Sequence, residues 1–503
     1  MASDSDLLNI LHPNHRFHFL LILFAGAVST LGFEPFGFWP ILFVSFSLLL
    51  HSWEASTPKQ SLIYGWCFGV GLQCSGVSWI FWSLHDHGGA PVFMACLTIF
   101  LLACYLAIYT ALAGYVVKRF CGGPALPRLL LLFPLSWGLF EWLQGYALTG
   151  FAWMQPGYAL IDTPLSGFAT VLGNHAVGVV MLTLIGVVFA WRRSLLSHMA
   201  APVLLIGMLL TGWALKSIVW TSPSGEPISV SLVQGNIAQE LKWKREMRVP
   251  TLRLYRELTL AAEPVDLVIW PETALPGYRH RLTRYLDDMR KKMQERDSDL
   301  LLGLFIRDPD GEGYFNGVMS IDGQEYHKRH LVPLGEYIPL RGLIEFFRSW
   351  VDIPMSDIAH GDDEQALIEA AGVKLGVNIC FEDAFSRDVR RDLPEASVLV
   401  NVSNDAWFDG SHETMQHHTI ARMRALETGR YMVRATNTGF SSVIDEKGRV
   451  LASSPVLQTH VLRATVQPMQ GATPYVLWGD AVLVGLALLV LGGCGYRRAV
   501  SGS

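Results

Sequence analysis

With 503 residues, of which 51% are hydrophobic and 17% charged, the chain is neither a purely soluble protein nor a simple bundle of membrane helices. Hydrophobic residues concentrate in the first 216 positions and in one run near the end, whereas charged residues dominate the middle. The formal net charge of −5, without a basic tract, gives nucleic-acid binding little support.

Eight apolar stretches are candidates for membrane spans, because about 20 residues cross the ~30 Å hydrocarbon core of a bilayer. They cover about 17–33, 38–53, 61–83, 91–117, 129–147, 165–190, 199–216 and 474–495. We therefore predict seven transmembrane helices in 1–221 and an eighth, with a cytoplasmic tail, in 473–503. The segment 222–472 between them is predicted to be a separate domain outside the membrane.

Lys and Arg residues predict the orientation. The flanks and loops on one side of the helices carry nine of them, whereas the three short loops on the other side (33–37, 84–90 and 148–164) carry none. The nine are Arg16, Lys59, Lys118, Arg119, Arg128, Arg192, Arg193, Arg497 and Arg498. Since cytoplasmic loops are enriched in these residues, both termini are predicted to be cytoplasmic and 222–472 to lie outside the cytoplasm. The N-terminus lacks the basic start and cleavage site of a removable signal peptide, so the first span is predicted to be retained.

The segment 222–472 alternates strand-like and helix-like patterns. Strands are predicted at 228–237, 266–273, 299–306, 373–380, 397–404 and within 431–467, and helices at 248–262, 280–297, 383–392 and 414–430. Two strand-like runs in 313–328 predict a hairpin that turns at Asp322-Gly323. Buried strands alternating with amphipathic helices indicate an α/β layered domain, in which site residues are expected at strand ends.

This domain contains a single cysteine, Cys380, at the end of the apolar run "VKLGVNIC". The other six cysteines lie in or beside the apolar segments, so the domain cannot form an internal disulfide. A leftover thiol outside the cytoplasm indicates either intermolecular pairing or a reactive residue. The alternative is a small buried hydrophobic residue.

Glu272 after "VIWP" and Lys328 in "YHKRHLVP" supply what a nucleophilic thiol needs. A carboxylate can take the thiol proton and return it to a leaving group, and an ammonium can stabilise both a thiolate and an oxyanion. Each residue alone is weak evidence for a catalytic site, because a Glu or Lys in such a position is usually solvated. A Ser-His-Asp site has less support, since no Gly-x-Ser-x-Gly motif occurs in the domain.

Four ordered motifs, "WPETALP", "KRHLVPLGEYIP", "GVNICFED" and "NVSNDAWF", resemble the Glu-Lys-Cys arrangement of the nitrilase superfamily. With eight spans around the domain, the whole chain resembles the bacterial apolipoprotein N-acyltransferase family, and "VQGNIAQELKW" and "QHHTIARMRALETGR" add to the match. The resemblance implies an α-β-β-α sandwich with Glu272 as base, Lys328 as oxyanion-stabilising cation and Cys380 as nucleophile.

Further site residues come from the same resemblance. Glu336 matches a glutamate that orients the lysine, and Glu382 and Trp243 match positions important to activity. Trp243 either lines an acyl groove or merely packs. Phe381 departs from the family, which usually has Tyr after the nucleophile, although its backbone N–H can still serve an oxyanion hole.

The implied reaction is ping-pong acyl transfer in the bacterial inner membrane, with the catalytic domain on the periplasmic side. A phospholipid, usually phosphatidylethanolamine in this family, gives its acyl chain to Cys380, and the chain then passes to the α-amino group of a diacylated apolipoprotein. No cofactor, metal or nucleic acid is expected, and the chain is predicted to be a monomer. His85, Asp86 and His87 are interpreted as a solvated loop rather than a metal site.

Two alternatives remain open at this point. One is a membrane-anchored amidase that uses the same three residues on a small amide, and the other is a transporter or sensor with an inactive outer domain. The apolar segment 339–355 is either a core-packed helix or a mobile arm that dips into the membrane interface and covers the site.

Overall fold

The computed structural model describes residues 17–309, 313–333, 335–337 and 358–501. These residues form two compact units: a helical unit of the described residues within Met1–Ser78, Cys96–Ile218 and Leu477–Ser503, and an α/β unit of those within Trp79–Ala95 and Val219–Val476. The predicted arm 339–355 and Arg16 lie outside the described residues.

Among the described residues, five helices are long and apolar enough to cross a membrane. They are Val92–Phe120, Ala125–Gln144, Asn174–Arg192, Ala200–Ser217 and Ala481–Arg498. A broken pair, Pro58–Gly76 and Ile80–His87, passes the same test when taken together, and His18–Gly32 and Pro40–Ala55 are shorter apolar helices. Each of these elements overlaps one predicted span, so the expectation of several apolar helices is confirmed, while the count of eight and the orientation stay predictions.

Small residues let two helices of the helical unit approach closely. A Cβ added at Gly26 would collide with the carbonyl oxygen of Phe68, and one at Gly71 would collide with the carbonyl oxygen of Leu23. Both glycines therefore lie where helix His18–Val28 meets helix Pro58–Gly76. Such contacts are typical of helices in membranes, where packing rather than the hydrophobic effect holds helices together.

Polar side chains inside the helical unit pair with one another. Glu141 is 6% exposed and accepts a hydrogen bond from the Trp137 indole at 3.1 Å, while its other oxygen lies 3.1 Å from His175 Nδ1. Asn174 donates to Gln155 at 2.6 Å. These pairs offset the cost of burying polar groups away from water.

The described part of the α/β unit contains two six-stranded sheets and one short two-stranded sheet. The first sheet has the order β13-β2-β3-β4-β5-β6, the second β12-β11-β10-β9-β8-β7, and β1 pairs with β14. The strands are β1 Thr221–Pro223, β2 Ile228–Gln234, β3 Leu267–Ile269, β4 Asp299–Arg307, β5 Tyr314–Ser320, β6 Glu325–His327, β7 Ile368–Ala370, β8 Val373–Ile379, β9 Val398–Ser403, β10 Tyr431–Thr436, β11 Ser442–Ile444, β12 Val450–Ser453, β13 His460–Val466 and β14 Met469–Gly471. Three central strands of each large sheet, β2-β3-β4 and β8-β9-β10, are parallel.

The two large sheets face each other and helices cover their outer faces. One apolar core joins residues of both sheets, such as Leu267, Leu301, Val377 and Val400. A second core lies between the first sheet and the helices Arg248–Ala261 and Thr283–Gln294, and a third between the second sheet and the helices Ser386–Arg390 and Glu413–Thr428. Because both faces of each sheet are covered, its strands are apolar runs, and β9 is buried at all six positions. The α-β-β-α arrangement agrees with the expected fold class.

Local elements follow the predictions with one difference. The hairpin β5-β6 turns where expected, at Asp322-Gly323. The helix predicted at 383–392 is instead a 3-10 helix, Cys380–Ala384, followed by the short helix Ser386–Arg390. The Glu382 side chain accepts a hydrogen bond from the backbone of Ile379, which tightens this turn, and Pro394 disfavours helix just before it.

Trp79–Ala95, between two apolar helices in the sequence, belongs to the α/β unit. The Trp79 indole donates to Gln416 Oε1 at 3.2 Å, and its ring packs edge-on against Phe408 at 4.8 Å. His87 packs edge-on against Trp407. The sequence analysis assigned this segment to the end of the third predicted span, the loop after it and the start of the fourth.

Candidate active site

Glu272, Lys328 and Cys380 line one cavity of about 120 Å³ in the α/β unit. Cys380 directly follows β8, Glu272 follows β3, and Lys328 follows β6. Since β3 runs parallel to β2 and β4, and β8 runs parallel to β9, their carboxyl ends lie at the edge where α/β folds place their sites. The structure therefore brings together the three residues that the sequence singled out.

The backbone of Cys380 is in the left-handed region, with φ of 53°. This conformation costs a residue other than glycine roughly 1–2 kcal/mol, so its surroundings must hold it. The Cys380 carbonyl oxygen accepts hydrogen bonds from Asn401 Nδ2 at 3.0 Å and from His417 Nε2 at 3.2 Å. The sharp turn between β8 and the following 3-10 helix is thus fixed from the buried side.

The Cys380 thiol is surrounded by opposing charges. Burial raises the pKa of this thiol well above its usual value, and the Glu272 carboxylate raises it further, whereas the Lys328 ammonium lowers it. The thiol is therefore protonated at neutral pH. Because only the thiolate is a strong nucleophile, the site needs a base to take the proton.

The Glu272 carboxylate is held at both oxygens. Oε1 accepts from Asn316 Nδ2 at 2.7 Å and lies 3.5 Å from Lys328 Nζ, while Oε2 accepts from the backbone N–H of Asn404 at 2.9 Å. Asn316 Nδ2 also donates to Glu336 Oε1 at 2.9 Å. One amide group therefore fixes the spacing of two carboxylates beside the cavity.

Lys328 is 1% exposed and lies against both carboxylates. Its ammonium is 2.9 Å from each oxygen of Glu336. Burial alone would lower the pKa of Lys328, but Glu336 and Glu272 outweigh burial and raise it above its usual value. The lysine is a permanent, fixed cation, and Glu336 lies where it can orient that cation.

A second buried lysine, which the sequence analysis did not single out, lies behind Glu272. Lys242 is 2% exposed and donates to the Glu272 backbone carbonyl at 3.2 Å. Burial lowers the pKa of Lys242 to about 8, against the opposing effects of Glu272 and Cys380. The next residue after Glu272, Thr273, has φ of 43°. The hydrogen bond from Lys242 to the Glu272 carbonyl therefore stabilises a strained turn.

The Glu382 side chain connects the turn at Cys380 to the segment that follows Lys328. One oxygen accepts from the backbone N–H groups of Arg329 at 2.6 Å and His330 at 2.9 Å. The other accepts from the Ile379 N–H at 2.7 Å and from the Tyr326 hydroxyl at 2.9 Å. Burial raises the pKa of Glu382 to about 7, while the backbone donors oppose the rise. Glu382 is fully buried and supports the geometry of the site.

The two aromatic residues inferred by resemblance occupy different places. Trp243 is 44% exposed, lines the cavity and packs against Phe305 at 5.6 Å. Phe381 is 8% exposed and packs edge-on against Phe385 at 5.0 Å and near His330. Its ring therefore packs among neighbouring aromatic side chains next to the turn at Cys380.

Part of the cavity wall comes from the segment Trp79–Ala95. Ser83, Leu84 and Gly88 line the cavity, together with Trp407 and Phe408 from the loop after β9. These residues make that wall largely apolar. No sequence motif had assigned this segment to the site.

A buried cluster of charges lies beneath Cys380. Asp405, Glu413 and His417 present possible metal-ligand atoms within 4.8 Å of one another. Arg434 lies among them, with Nη2 3.2 Å from Asp405 Oδ1 and 2.9 Å from His417 Nδ1. A guanidinium thus supplies the positive charge that these acidic groups require.

The groups around the cavity are those of covalent acyl chemistry: a thiol, a held carboxylate and a fixed ammonium. The carboxylate can move a proton to and from the thiol, and the ammonium can stabilise an oxyanion. The apolar wall can accept a hydrocarbon chain and exclude water.

Comparison with known proteins places both parts of the chain. Residues 25–188 match the family described as the apolipoprotein N-acyltransferase N-terminal domain, and residues 229–475 match the carbon-nitrogen hydrolase family. A Methylococcus capsulatus protein named apolipoprotein N-acyltransferase is 40% identical over 95% of this chain and 96% of its own length. Proteins of the same name from Nitrosomonas europaea and Pseudomonas syringae pv. tomato are 40% and 38% identical over 93% and 94% of this chain and 96% and 95% of theirs.

Proposed function

We infer the reaction from the premise that this chain belongs to the apolipoprotein N-acyltransferase family and is a membrane acyltransferase that acts on lipoproteins. We propose that it does so by a ping-pong mechanism through a thioester on Cys380. The observation that carries this proposal is the meeting of Cys380, Glu272 and Lys328 at one cavity.

In the first half-reaction, Glu272 takes the proton of the Cys380 thiol as Sγ attacks the ester carbonyl of a phospholipid. Lys328 and the backbone N–H of Phe381 stabilise the oxyanion of the tetrahedral intermediate. The carbonyl reforms, the C–O bond to glycerol breaks, and the departing alkoxide receives the proton from Glu272. The products are a thioester on Cys380 and a lysophospholipid.

In the second half-reaction, the neutral α-amino group of the N-terminal diacylglyceryl-cysteine attacks the thioester carbonyl. Glu272 takes the proton that this nitrogen loses and passes it to the departing Cys380 thiolate. An amide replaces the thioester, which is downhill, so the chain's own residues suffice without an activated co-substrate.

The apolar lining of the cavity favours a lipid substrate. A volume of about 120 Å³ is below the ~300–1,000 Å³ of a typical small-ligand pocket, so it holds the reacting ester rather than a whole lipid. The acyl chain then extends along the apolar wall of Trp243, Leu84 and Phe408. We propose phosphatidylethanolamine as donor, a monomeric enzyme, eight spans with cytoplasmic termini, and an α/β domain on the periplasmic side of the inner membrane.

The proposal is tested by incubating the purified chain with phosphatidylethanolamine vesicles and analysing its peptides by mass spectrometry. We expect an acyl adduct on the Cys380 peptide, removed by hydroxylamine, with stoichiometric release of lysophospholipid. A Cys380→Ala variant should show neither. An active Cys380→Ala enzyme would refute the mechanism, and hydrolysis of a small amide without lipid transfer would favour an amidase.

A further inference from the structure

The Cys380–Phe381 peptide is held through its carbonyl oxygen. Its carbonyl oxygen accepts from Asn401 Nδ2 and His417 Nε2, and both of these side chains are almost completely buried. The peptide is trans, since the cis bonds among the described residues are Glu34-Pro35 and Leu393-Pro394. In a planar trans peptide the C=O and N–H groups point in opposite directions. Fixing the carbonyl therefore fixes the direction of the Phe381 N–H.

The surroundings of His417 determine which of its nitrogens carries a proton. Nε2 lies against two acceptors, the Cys380 carbonyl at 3.2 Å and Asp383 Oδ1 at 2.9 Å, so Nε2 carries a proton. Nδ1 lies 3.2 Å from Glu413 Oε1 and 2.9 Å from Arg434 Nη2. A neutral imidazole accepts from Arg434 at Nδ1, whereas an imidazolium donates from Nδ1 to Glu413. The Nε2–H donor is thus present whether the imidazole is neutral or charged.

The cluster also holds the imidazole in place. Arg434 donates to Asn401 Oδ1 at 2.7 Å and lies 3.3 Å from Asp383 Oδ2. The same guanidinium thus contacts Asn401 and the Asp383 that orients His417. The two donors to the Cys380 carbonyl therefore belong to one rigid, fully buried assembly.

We propose that His417 is a positioning residue that aims the Phe381 N–H at the oxyanion, by holding the Cys380 carbonyl from behind. His417 touches no substrate in this scheme. The proposal rests on the thioester mechanism above, because an oxyanion at this place forms only if Cys380 attacks a carbonyl.

The test compares two replacements of the same histidine. The amide nitrogen of glutamine can take the place of Nε2, whereas that of asparagine takes the place of Nδ1, so only His417→Gln keeps the donor to the Cys380 carbonyl. His418, the next residue on the same helix, hydrogen-bonds to Ser442 at 3.0 Å and serves as the matched control. The readouts are the pre-steady-state release of lysophospholipid, the KM for phospholipid and the rate at which iodoacetamide alkylates Cys380.

Loss of one oxyanion donor typically slows acyl transfer by about 10²- to 10³-fold, so His417→Asn should slow lysophospholipid release by roughly 10²-fold. His417→Gln should recover most of that loss, and His418→Asn should match the wild type. The KM and the alkylation rate should be unchanged, because neither involves the oxyanion. Should His417→Asn fail to fold, Asn401→Ala removes the other donor to the same carbonyl and is expected to give the same pattern.

Wild-type release in His417→Asn would overturn the proposal. So would an alkylation rate that falls in parallel with acylation, since that would place the effect on the thiol instead. The thioester mechanism has its own separate failure, which is wild-type enzyme that transfers acyl chains without an adduct on Cys380.

Discussion

Replacing Glu272 with Gln should make Cys380 easier to alkylate while it stops acyl transfer. The Glu272 carboxylate is one of the groups that raise the pKa of the Cys380 thiol, second only to burial. Without that charge, more thiolate is present at a given pH. The same variant lacks the base that the proposed mechanism needs during turnover.

The size of the effect follows from Coulomb's law. Glu272 and Cys380 line the same cavity, and charges within ~4–6 Å of a titrating group are those that shift its pKa strongly. Two unit charges ~6 Å apart interact by roughly 3 kcal/mol at an effective dielectric constant of ~20, or about two pKa units. Iodoacetamide should therefore modify Cys380 up to ~10²-fold faster in Glu272→Gln, while lysophospholipid release falls by about 10²- to 10⁴-fold.

A companion variant, Lys328→Met, provides a control in which the pKa of the Cys380 thiol should shift in the opposite direction. It removes the cation that lowers the thiol pKa, so alkylation should slow while acyl transfer is again lost. General misfolding would move both variants in the same direction. Slower alkylation of Cys380 in Glu272→Gln would refute the reasoning, because Glu272 would then be generating a resting thiolate rather than acting during turnover.

Three further outcomes follow from the site. The rate at which wild-type Cys380 is alkylated should rise about tenfold per pH unit between roughly pH 7 and 9, because the raised pKa keeps the thiol protonated. A rate that levels off below pH 8 would contradict the raised pKa. Glu382→Gln places an amide N–H against a backbone donor, so thermal unfolding should show a loss of about 3 kcal/mol or more of stability. The control Tyr326→Phe removes one hydrogen bond to Glu382 and should lose ~1 kcal/mol. Equal losses would contradict the bridging geometry. Trp243→Ala should slow acylation by long-chain but not short-chain phospholipids at an unchanged alkylation rate, and equal slowing for both would remove Trp243 from the acyl path.

The positions of Glu272, Lys328 and Cys380 were accessible from the sequence for a physical reason. Each follows a strand-like run, and strand ends of an α/β fold converge on one edge. The predicted roles of these residues came from the chemistry that a thiol needs and were made specific by the resemblance, whereas those of Glu336 and Trp243 came from the resemblance alone. Residues from both kinds of inference line the same cavity.

The buried cluster beneath Cys380 could not be predicted in the same way. Asp405, His417 and Arg434 come from three successive elements, the 3-10 helix Asp405–Phe408, the helix Glu413–Thr428 and β10. The helix Glu413–Thr428 is buried on nearly all sides, so its polar residues do not mark a solvent face. Only the fold shows that these charges neutralise one another.

The segment Trp79–Ala95 was difficult for a related reason. Its first residues, Trp79 to Trp82, continue an apolar run, and hydropathy does not distinguish residues that face lipid from residues that pack against protein. In the structure Trp79 hydrogen-bonds to Gln416, and Ser83 and Leu84 line the cavity.

The most direct test of the account asks whether the thioester on Cys380 is a competent intermediate. The enzyme is acylated with labelled phosphatidylethanolamine, separated from free lipid and mixed rapidly with a synthetic diacylated lipopeptide. The account predicts that label leaves Cys380 as fast as turnover and appears, one for one, as an amide on the peptide's α-amino group. Label that stays on Cys380 while fresh phospholipid still supports N-acylation would contradict it.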